Sequence, residues 1–516
     1  MQTKRLFGTW VLGLGLAMSL LWLLSDDMFS ARAAAAVRYV TTTGNDTGDC
    51  ATIVGRCRTV QYAVNVASPF DEIWVAGGTY TSAGEVVITI TKSFTLYGGW
   101  DGVSVGVRNS AAYPTILDGE NARRVIQITG NVSPTIDGFT ITGGNATGLG
   151  GGLFAGSDAG GGIYSLNASP IIQNNIITNN VASTQSGVRA LGGGIYIKDA
   201  PTLAVIRYNQ IMSNTAGIGI QQGEGGGLFI YSPADVLTNT FRDNEACKSC
   251  TRSLGGGLDV GWTTSQILIA HNLFENNQAR QGGGIHLVWS AVQVNGNTII
   301  SNTATDDGAG LFSTYDKGSN VNANIVMSNT AARYGGGLVI YITQGPEATR
   351  LVNNIIAHNL AGDSGGGLYA HSDWNLSAIT LTHNTVASNG TGLRIGDNMT
   401  ATLVNNIVAS HTLGITVTGP GGNVFADHTL FWGNTDDGIR GANSVDGDPA
   451  FVNPAAGDYH IGPGSGAINA GMDAGVTSDI DGELRPDCVL GDIGADERQG
   501  AACSRIYLPL VLRDSS

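Results

Sequence analysis

The chain has 516 residues, a net charge of −15 and only 13% charged residues. This negative balance argues against a protein that binds nucleic acid by neutralising phosphates. The length would ordinarily indicate several domains. The 76 glycines and 13 prolines instead fit one long repetitive solenoid, whose core grows linearly with its length.

Residues 1–33 have the pattern of an export signal. Lys4 and Arg5 precede an apolar run over residues 6–24, and Ala31-Arg32-Ala33 offers a cleavage site of small residues. The apolar run also reaches the minimum length of a membrane span, so a retained anchor stays open beside cleavage. Both alternatives predict an exported protein, in the extracellular space or on the cell surface.

Residues 34–100 are predicted to form an N-terminal cap and the first strands. The sequence VRYV, from Val37, is a short strand, and EIWVA, from Glu72, returns to strand. Between them, small and apolar residues share one helical face: Val60, Ala63, Val64 and Ala67. A helix laid over the open end of a β-solenoid would suppress edge-to-edge association.

Residues 101–445 carry a repeat, clearest in GGGIHLVWSAVQVNGNTIISNTA, from Gly282 to Ala304. Three glycines precede an apolar/any/apolar triplet, and the copy closes with N-x-Φ-x-x-N, where Φ is apolar. The closing element occurs in full eight times, at intervals of 25 to 34 residues. Its last asparagines are Asn180, Asn214, Asn244, Asn277, Asn302, Asn329, Asn359 and Asn389.

The apolar residues of each repeat alternate with period two, as in Ile285/Leu287 and Val292/Val294. The apolar spacing of a helix is missing from every copy. Three short strands per repeat, separated by Gly and Asn, predict an all-β fold, a parallel β-helix of about a dozen coils. Stacked asparagines can exchange amide hydrogen bonds from coil to coil, and Asn tolerates the left-handed backbone of the turns.

The GGG(I/L) elements, together with Phe241-x-x-Asn244 and Phe274-x-x-Asn277, resemble the GGAI and FxxN repeats of polymorphic outer-membrane proteins. Roughly residues 38 to 497 resemble a pectin-lyase-like right-handed parallel β-helix, closest to secreted choice-of-anchor Q proteins. The resemblance implies that residues 446–498 are a C-terminal module of that type, followed by a tail over 499–516. These families include adhesins, autotransporter passengers and enzymes, so the chemistry stays open.

All six cysteines lie in the predicted exported part and form three sequence-local pairs. A rigid rod keeps distant coils apart, so we expect the disulfides Cys50–Cys57, Cys247–Cys250 and Cys488–Cys503. The CxxC spacing of the middle pair is also found in redox and zinc sites. A disulfide that closes the loop is the favoured interpretation, because no second CxxC or histidine cluster accompanies it.

Three adjacent coils have long turns before their glycines, spanning 12, 11 and 11 positions, whereas the next four span only 5 or 6. We expect the long turns to stand side by side as a ledge. Insertions of this kind are where solenoids usually place their function.

The middle residue of each post-glycine triplet forms one column along the rod, and we call it the triplet column. If the flanking apolar residues point inward, this residue points outward, so we expect an exposed row suited to stacking on sugars. The competing interpretation is a purely structural ladder. The column contains Tyr164, Tyr196, Phe229, Asp259, His286, Phe312, Val339, Tyr369 and Arg394.

Further side chains are predicted to complete a glycan-binding face. Trp262 and Trp289 lie further along the same strands, with Tyr231, Tyr315, Tyr341 and His371. Arg252, Arg280 and Arg333 precede their glycines by two or three residues. Arginines beside aromatics point to carboxylated sugars, although ordinary turn arginines would give the same pattern.

Catalysis has weaker support. Asp259 and His286 occupy the same column in adjacent coils and could act as an acid/base pair, with Arg280 neutralising a uronate. Asp479, Asp481 and Glu483 could ligate Ca²⁺, and no other cofactor is expected. The first hypothesis is therefore a monomeric, non-catalytic adhesin or glycan-binding protein whose partner is a polysaccharide or cell-surface glycan. The alternative is a lyase or hydrolase that acts on uronate-containing polysaccharide.

Overall fold

The computed structural model describes residues 35–219, 222–261, 266–341, 348–487 and 490–500. The predicted signal segment, most of the tail, Trp262 and the Cys488–Cys503 pair lie outside the described residues. Within them, no helix is long and apolar enough to cross a membrane.

The N-terminal cap forms as the sequence predicts. A strand at Val37–Val40 is followed by a single α-helix at Val60–Val66. The Thr59 hydroxyl accepts a hydrogen bond from the amide of Tyr62 at 3.3 Å, which supplies one of the helix's unpaired N–H groups with a partner. The predicted apolar face is buried against the first strands.

Each coil contributes one strand to a sheet of fourteen parallel strands, which we call the back sheet. Its strands are Val37–Val40, Glu72–Ala76, Thr95–Trp100, Thr135–Asp137, Ile171–Gln173, Ala204–Arg207, Ala234–Leu237, Ile267–Ala270, Gln293–Asn295, Asn320–Asn322, Thr349–Val352, Ser377–Thr382, Met399–Val404 and Asn423–Asp427.

A second sheet contains two sets of parallel strands. The post-glycine strands are Ile163–Ala168, Ile195–Lys198, Leu228–Tyr231, Leu258–Val260, Ile285–Val288, Leu311–Thr314, Leu338–Tyr341 and Leu368–His371. The Asn-flanked strands are Ile176–Thr178, Gln210–Met212, Thr240–Arg242, Leu273–Glu275, Thr298–Ile300, Ile325–Met327 and Ile355–Ala357. The end coils add Gly78–Tyr80, Val86–Ile90, Thr115–Val132, Phe139–Gly144, Thr385–Ile395, Ile407–Val417, Leu430–Trp432, Asp436–Gly438 and Val445–Asp446.

Two smaller parallel sheets lie between the second Asn corner and the glycines. The seven-stranded sheet contains Val181–Ser183, Thr215–Ile218, Glu245–Lys248, Gln278–Ala279, Thr303–Ala304, Thr330–Ala331 and Leu360–Ala361. The four-stranded sheet, which we call the cover sheet, contains Asp158–Ala159, Arg189–Leu191, Gln222–Glu224 and Arg252–Leu254. Three of the four cover strands come from the long turns, so the predicted ledge is confirmed.

The core follows from the period-two pattern. The apolar residues on either side of the triplet column, such as Ile285 and Leu287, are fully buried inside the coils. One continuous apolar cluster runs from Val40 to Phe431. The all-β solenoid and the inward direction of the apolar pairs are confirmed.

Asparagines at two corners of the coil form two continuous ladders. Asn244, for example, donates from its side-chain Nδ2 to Oδ1 of Asn277 at 3.0 Å. The same oxygen also accepts a hydrogen bond from the backbone N–H of Asn244. The predicted ladder joins the eight closing asparagines from Asn180 to Asn389. The first asparagines of the motif form the second, from Asn175 to Asn406. All these amides are buried, so the ladders give partners to polar groups that would otherwise be costly to bury.

The chain after the last coils folds back along the outside of the rod. Phe451–Asn453 and Asp458–Ile461 form an antiparallel pair joined by a 3₁₀ helix at Pro454–Ala456. An apolar cluster joins Tyr459, Ile461, Ala467, Ile493 and Ala495 of this segment to Ile355, Ala357, Ala387, Ile407, Ala409 and Leu430 of the coils. Buried Arg485 also places Nη1 2.7 Å from Nδ1 of His383.

Candidate functional site

The triplet column has the predicted register. Each member pairs with the next in parallel, coil by coil, from Tyr164 to Arg394. One G-x-G-(I/L) element per coil, which is GGG(I/L) before seven of the nine residues, therefore aligns all nine side chains.

The predicted exposure of the column is wrong. Tyr196, Phe229, His286 and Phe312 are 0%, 1%, 2% and 7% exposed, and Tyr369 is half-buried. The rings stack along the rod axis, with centroids 5.4 Å apart for Tyr196–Phe229 and 5.7 Å for His286–Phe312. The ring faces that a sugar would need are therefore occupied by the neighbouring coil. Here the structural-ladder interpretation holds.

The cover sheet closes the first part of the column. Its strands pair in parallel from Ala159 to Leu254, and Ala159 and Leu191 pack in one cluster with Tyr164, Tyr196 and Phe229. We call this part of the rod the covered half. The disulfide Cys247–Cys250 lies in the third long turn, and Cys50–Cys57 lies in the cap, as predicted.

An open groove begins where the cover sheet ends, because the following turns are too short to supply another strand. Two adjoining pockets of about 460 and 250 Å³ share Gln281 and Thr314. The first is bordered by Arg252, Arg280, Trp289 and Tyr315, and the second by Arg333, Tyr334, Tyr341, Tyr369 and His371. We call the two pockets together the groove, and this part of the rod the open half.

One wall of the groove consists of aromatic side chains at the ends of the post-glycine strands. The rings of Trp289 and Tyr315 stack at 4.7 Å, Tyr341 meets Tyr315 edge-on at 5.7 Å, and His371 lies 4.4 Å from Tyr341. All four are partly exposed. Burial, and next the hydrogen bond to Asp373, raise the pKa of Tyr341, so its hydroxyl stays protonated.

The opposite wall consists of charged side chains from the short turns. Backbone hydrogen bonds place Arg280, Asp306, Arg333 and Asp363 in register on successive coils. Arg280 reaches Asp306 at 3.2 Å, and Arg333 reaches Asp306 at 2.7 Å and Asp307 at 2.6 Å. The three predicted wall arginines are close to half exposed, yet each has a carboxylate partner. Their pairing weakens the case for a carboxylated sugar.

Three acidic residues of this wall were not predicted. Glu224, Asp306 and Asp307 are 3%, 7% and 5% exposed, and they partner the arginines. Burial, followed by the charge of Asp259, raises the pKa of Glu224; burial, followed by the charge of Asp307, raises that of Asp306. One sequence signal for this acidic wall was available, the Asp306-Asp307 pair. In the next coil, these two residues occupy the positions that Arg280 and Gln281 occupy in the coil before.

The predicted Asp259 and His286 pair is in contact on the floor of the groove. Nδ1 of His286 lies 2.8 Å from Oδ1 of Asp259, and Nε2 lies 3.2 Å from the Thr314 hydroxyl. Both side chains are 2% exposed. Arg280 points to Asp306 and to the carbonyl of Thr251. This arrangement fixes the imidazole through both nitrogens, which limits its reach to a bound ligand.

The predicted calcium ligands do not form one group. Oδ1 of Asp479 accepts backbone N–H groups of Asp481 and Glu483 at 3.0 and 2.8 Å, and Oδ2 accepts that of Glu497 at 3.0 Å. Asp479 therefore stabilises its own turn, while Asp481 pairs with His460. In the described part of the chain the three residues do not meet as one ligand group, and the calcium site stays a prediction.

Two protein-family models match parts of the chain. A model described as a right-handed β-helix region matches residues 79–274. The fold is a right-handed parallel β-helix. A model described as periplasmic copper-binding protein (NosD) matches residues 251–438 of the β-helix. The finer resemblance to choice-of-anchor Q and polymorphic outer-membrane proteins stays a prediction.

The other comparisons carry no argument of their own about this chain. No curated protein matches the chain. The β-helix is similar to the crystal structure of pectate lyase Pel9A, with 14% identity over 92% of this chain and 99% of that one and a TM-score of 0.38. It is also similar to XylC in complex with xylose, with 12% identity over 89% and 98% of the two chains and a TM-score of 0.44.

The copper description can be tested against the side chains. Copper in proteins takes imidazole and thiolate or thioether ligands. In the part of the chain that the structure describes, three His, Cys, Asp or Glu ligand atoms converge only at His460, Asp481 and Asp496. That group lies outside the segment matched by the copper-binding model. The described residues between 251 and 438 therefore do not fit a copper centre made of His, Cys, Asp or Glu side chains.

Proposed function

We propose that this β-helix is an exported, non-catalytic carbohydrate-binding protein that holds one chain of a neutral polysaccharide in the groove. The observation that carries the proposal is the open groove itself, with aromatic rings along one wall and guanidinium groups along the other. It extends over five coils, about 20 Å at roughly 4.8 Å per coil, which matches an extended oligosaccharide of several residues.

The two walls offer the contacts that sugars require. The exposed edges of rings such as Trp289 and Tyr341 pack against the apolar faces of a sugar. Gln281 and the arginines add donors for hydroxyl groups. Since Glu224, Asp306 and Asp307 balance the arginines, the groove has no excess positive charge. This balance favours a neutral glycan over a uronate polymer.

Export is supported by the sequence of residues 1–33 and by the periplasmic description of one matching family model. The groove is formed by successive coils of one chain, so a monomer suffices for binding.

Cleavage of a polysaccharide is the second candidate, and the pair of Asp259 and His286 on the groove floor favours it. A general acid or base must reach the proton that it transfers. The 2% exposure of both side chains, with Thr314 on the second ring nitrogen, supports a structural role instead.

Affinity electrophoresis of the full secreted chain tests binding, with hydroxyethylcellulose, xylan and polygalacturonate as probes. We expect retardation by a neutral polymer and a clear loss of it in Tyr315→Ala. The matched control is Tyr208→Ala in the covered half. Tyr208 is an exposed tyrosine and Tyr315 a partly exposed one, and both have a left-handed backbone, with φ of 58° and 57°. Equal retention by wild type and Tyr315→Ala would refute binding in the groove.

A reducing-end and unsaturated-uronate assay on the same polymers separates the two candidates. We expect no turnover by the wild-type chain. Turnover that disappears in His286→Gln, while polymer retention persists, would establish the enzyme instead.

A further inference from the structure

Three parts of the C-terminal segment bring potential metal ligands together on the outside of the rod. His460 comes from the strand Asp458–Ile461, Asp481 from the turn that follows Asp479, and Asp496 from the last described stretch. One ligand atom from each lies within 4.8 Å of the other two. The three residues come from separate stretches of sequence, so only the fold unites them.

The histidine is oriented as in many metal sites. Nδ1 of His460 lies 2.6 Å from Oδ1 of Asp458, which leaves Nε2 facing Asp481, 2.7 Å from its Oδ2. Metal-binding histidines commonly donate their second ring N–H to a carboxylate, which fixes the tautomer and the ring plane. Asp458 is in the position of such a second partner.

Hydrogen bonds to the backbone also fix the two stretches that carry the carboxylates. Oδ2 of Asp496 accepts the backbone N–H of Ile461 at 2.8 Å, and Asp496 is only 6% exposed. Asp479 accepts the backbone N–H groups of Asp481 and Glu497. One buried carboxylate therefore positions both ligand-bearing stretches, although it is not a ligand itself.

We infer that His460, Asp481 and Asp496 form a site for a divalent first-row transition metal such as Zn²⁺, with Asp458 as the residue that orients the imidazole. One nitrogen and two carboxylate oxygens suit zinc, which takes N and O ligands in a four-coordinate shell. Calcium requires six to eight oxygens and fits poorly.

The surroundings leave room for the remaining coordination positions. His460 and Asp481 border a pocket of about 470 Å³ between the C-terminal segment and the coils, with His271 and Asn295 on the coil side. The side chains of His460 and Asp481 are 40% and 52% exposed, so water can complete the shell. A metal there would join the strand, the turn and the last stretch of the segment, independently of glycan binding in the groove.

Zinc binding by the full secreted chain, stripped with a chelator and titrated against a chromophoric zinc indicator, tests the site. We expect one zinc ion per chain, no binding in His460→Gln or Asp496→Asn, and a 10–100-fold weaker affinity in Asp458→Asn, the usual range for such a partner. Excess Ca²⁺ or Mg²⁺ should not displace the zinc.

His428→Gln is the matched control, because His428 makes a similar contact to Asp427 at 3.1 Å but is not part of the three-ligand group. It should bind zinc like the wild-type chain. Two results would overturn the site: no stoichiometric zinc binding by the wild-type chain, or zinc binding that His460→Gln and Asp496→Asn leave unchanged. The second would place the zinc elsewhere and reduce this cluster to an ion pair.

Discussion

The covered and open halves of the rod share one column in one register, yet they present different surfaces. In the covered half, turns of 11 or 12 positions add a strand that lies over Tyr164, Tyr196 and Phe229. In the open half, turns of 5 or 6 positions carry a charged residue two positions before the first glycine, and the groove lies uncovered. The column is buried in both halves as far as Val339, so the length of the turn before the glycines decides whether a cover strand or an open groove lies beside it.

The largest expected effect of this difference is on stability in the covered half. Phe229→Ala removes a ring that is 1% exposed and stacked on Tyr196, and should lower the free energy of unfolding by about 3–5 kcal/mol. Polysaccharide retention of the folded variant should not change. Denaturant unfolding and affinity electrophoresis measure the two properties, and weaker retention at unchanged stability would place the ligand in the covered half.

A second expected effect is on stability at acidic pH, and it arises where His411 continues the ladder of closing asparagines beyond Asn389. Burial lowers the pKa of His411 to about 4, so the folded protein keeps this histidine neutral while the unfolded chain binds a proton below pH 6.5. The contribution of this one histidine to the free energy of unfolding should fall by about 3 kcal/mol as the pH drops from 6.5 to 4.

His411→Asn removes this titration and restores the asparagine that the repeat has at this position, between Asn389 and Asn434. Its unfolding free energy should depend less on pH over the same range. An identical pH dependence in wild type and variant would contradict the assignment.

A smaller, equal effect is expected from the ladder in the two halves. Asn214→Ala in the covered half removes the oxygen that accepts from the backbone and side-chain N–H groups of Asn180. Asn329→Ala in the open half does the same to Asn302, and each loss should cost about 1–3 kcal/mol. Chemical denaturation of the two variants measures the loss. Clearly unequal losses would show that the halves differ in their scaffold as well as in their turns.

The sequence predicts the coils well because their determinants are local and repeated. Each N-x-Φ-x-x-N places asparagines at the same corners, and alternation around His286 assigns inside and outside. Exposure was not predictable in this way, because Leu191 covers Tyr196 only when the long turn just before the glycines folds back over the coil.

The acidic wall and the C-terminal site were not predicted from the sequence, for a similar reason. Asp306 forms ion pairs with one arginine from the coil before it and one from the coil after it. Both arginines lie in turns of variable length. His460, Asp481 and Asp496 lie in separate stretches that meet through tertiary packing. Apart from the Asp306-Asp307 pair, no spacing in the sequence marks either cluster.

Hydroxyl-radical footprinting with and without a saturating neutral polysaccharide compares the two halves in one experiment. The groove account predicts that oxidation of Trp289, Tyr315 and Tyr341 falls when the polymer is bound. Oxidation of exposed Tyr208 should stay the same, and buried Tyr196 and Phe229 should remain unoxidised throughout. Protection of Tyr208 with unchanged Tyr315, or ready oxidation of Tyr196, would contradict the account.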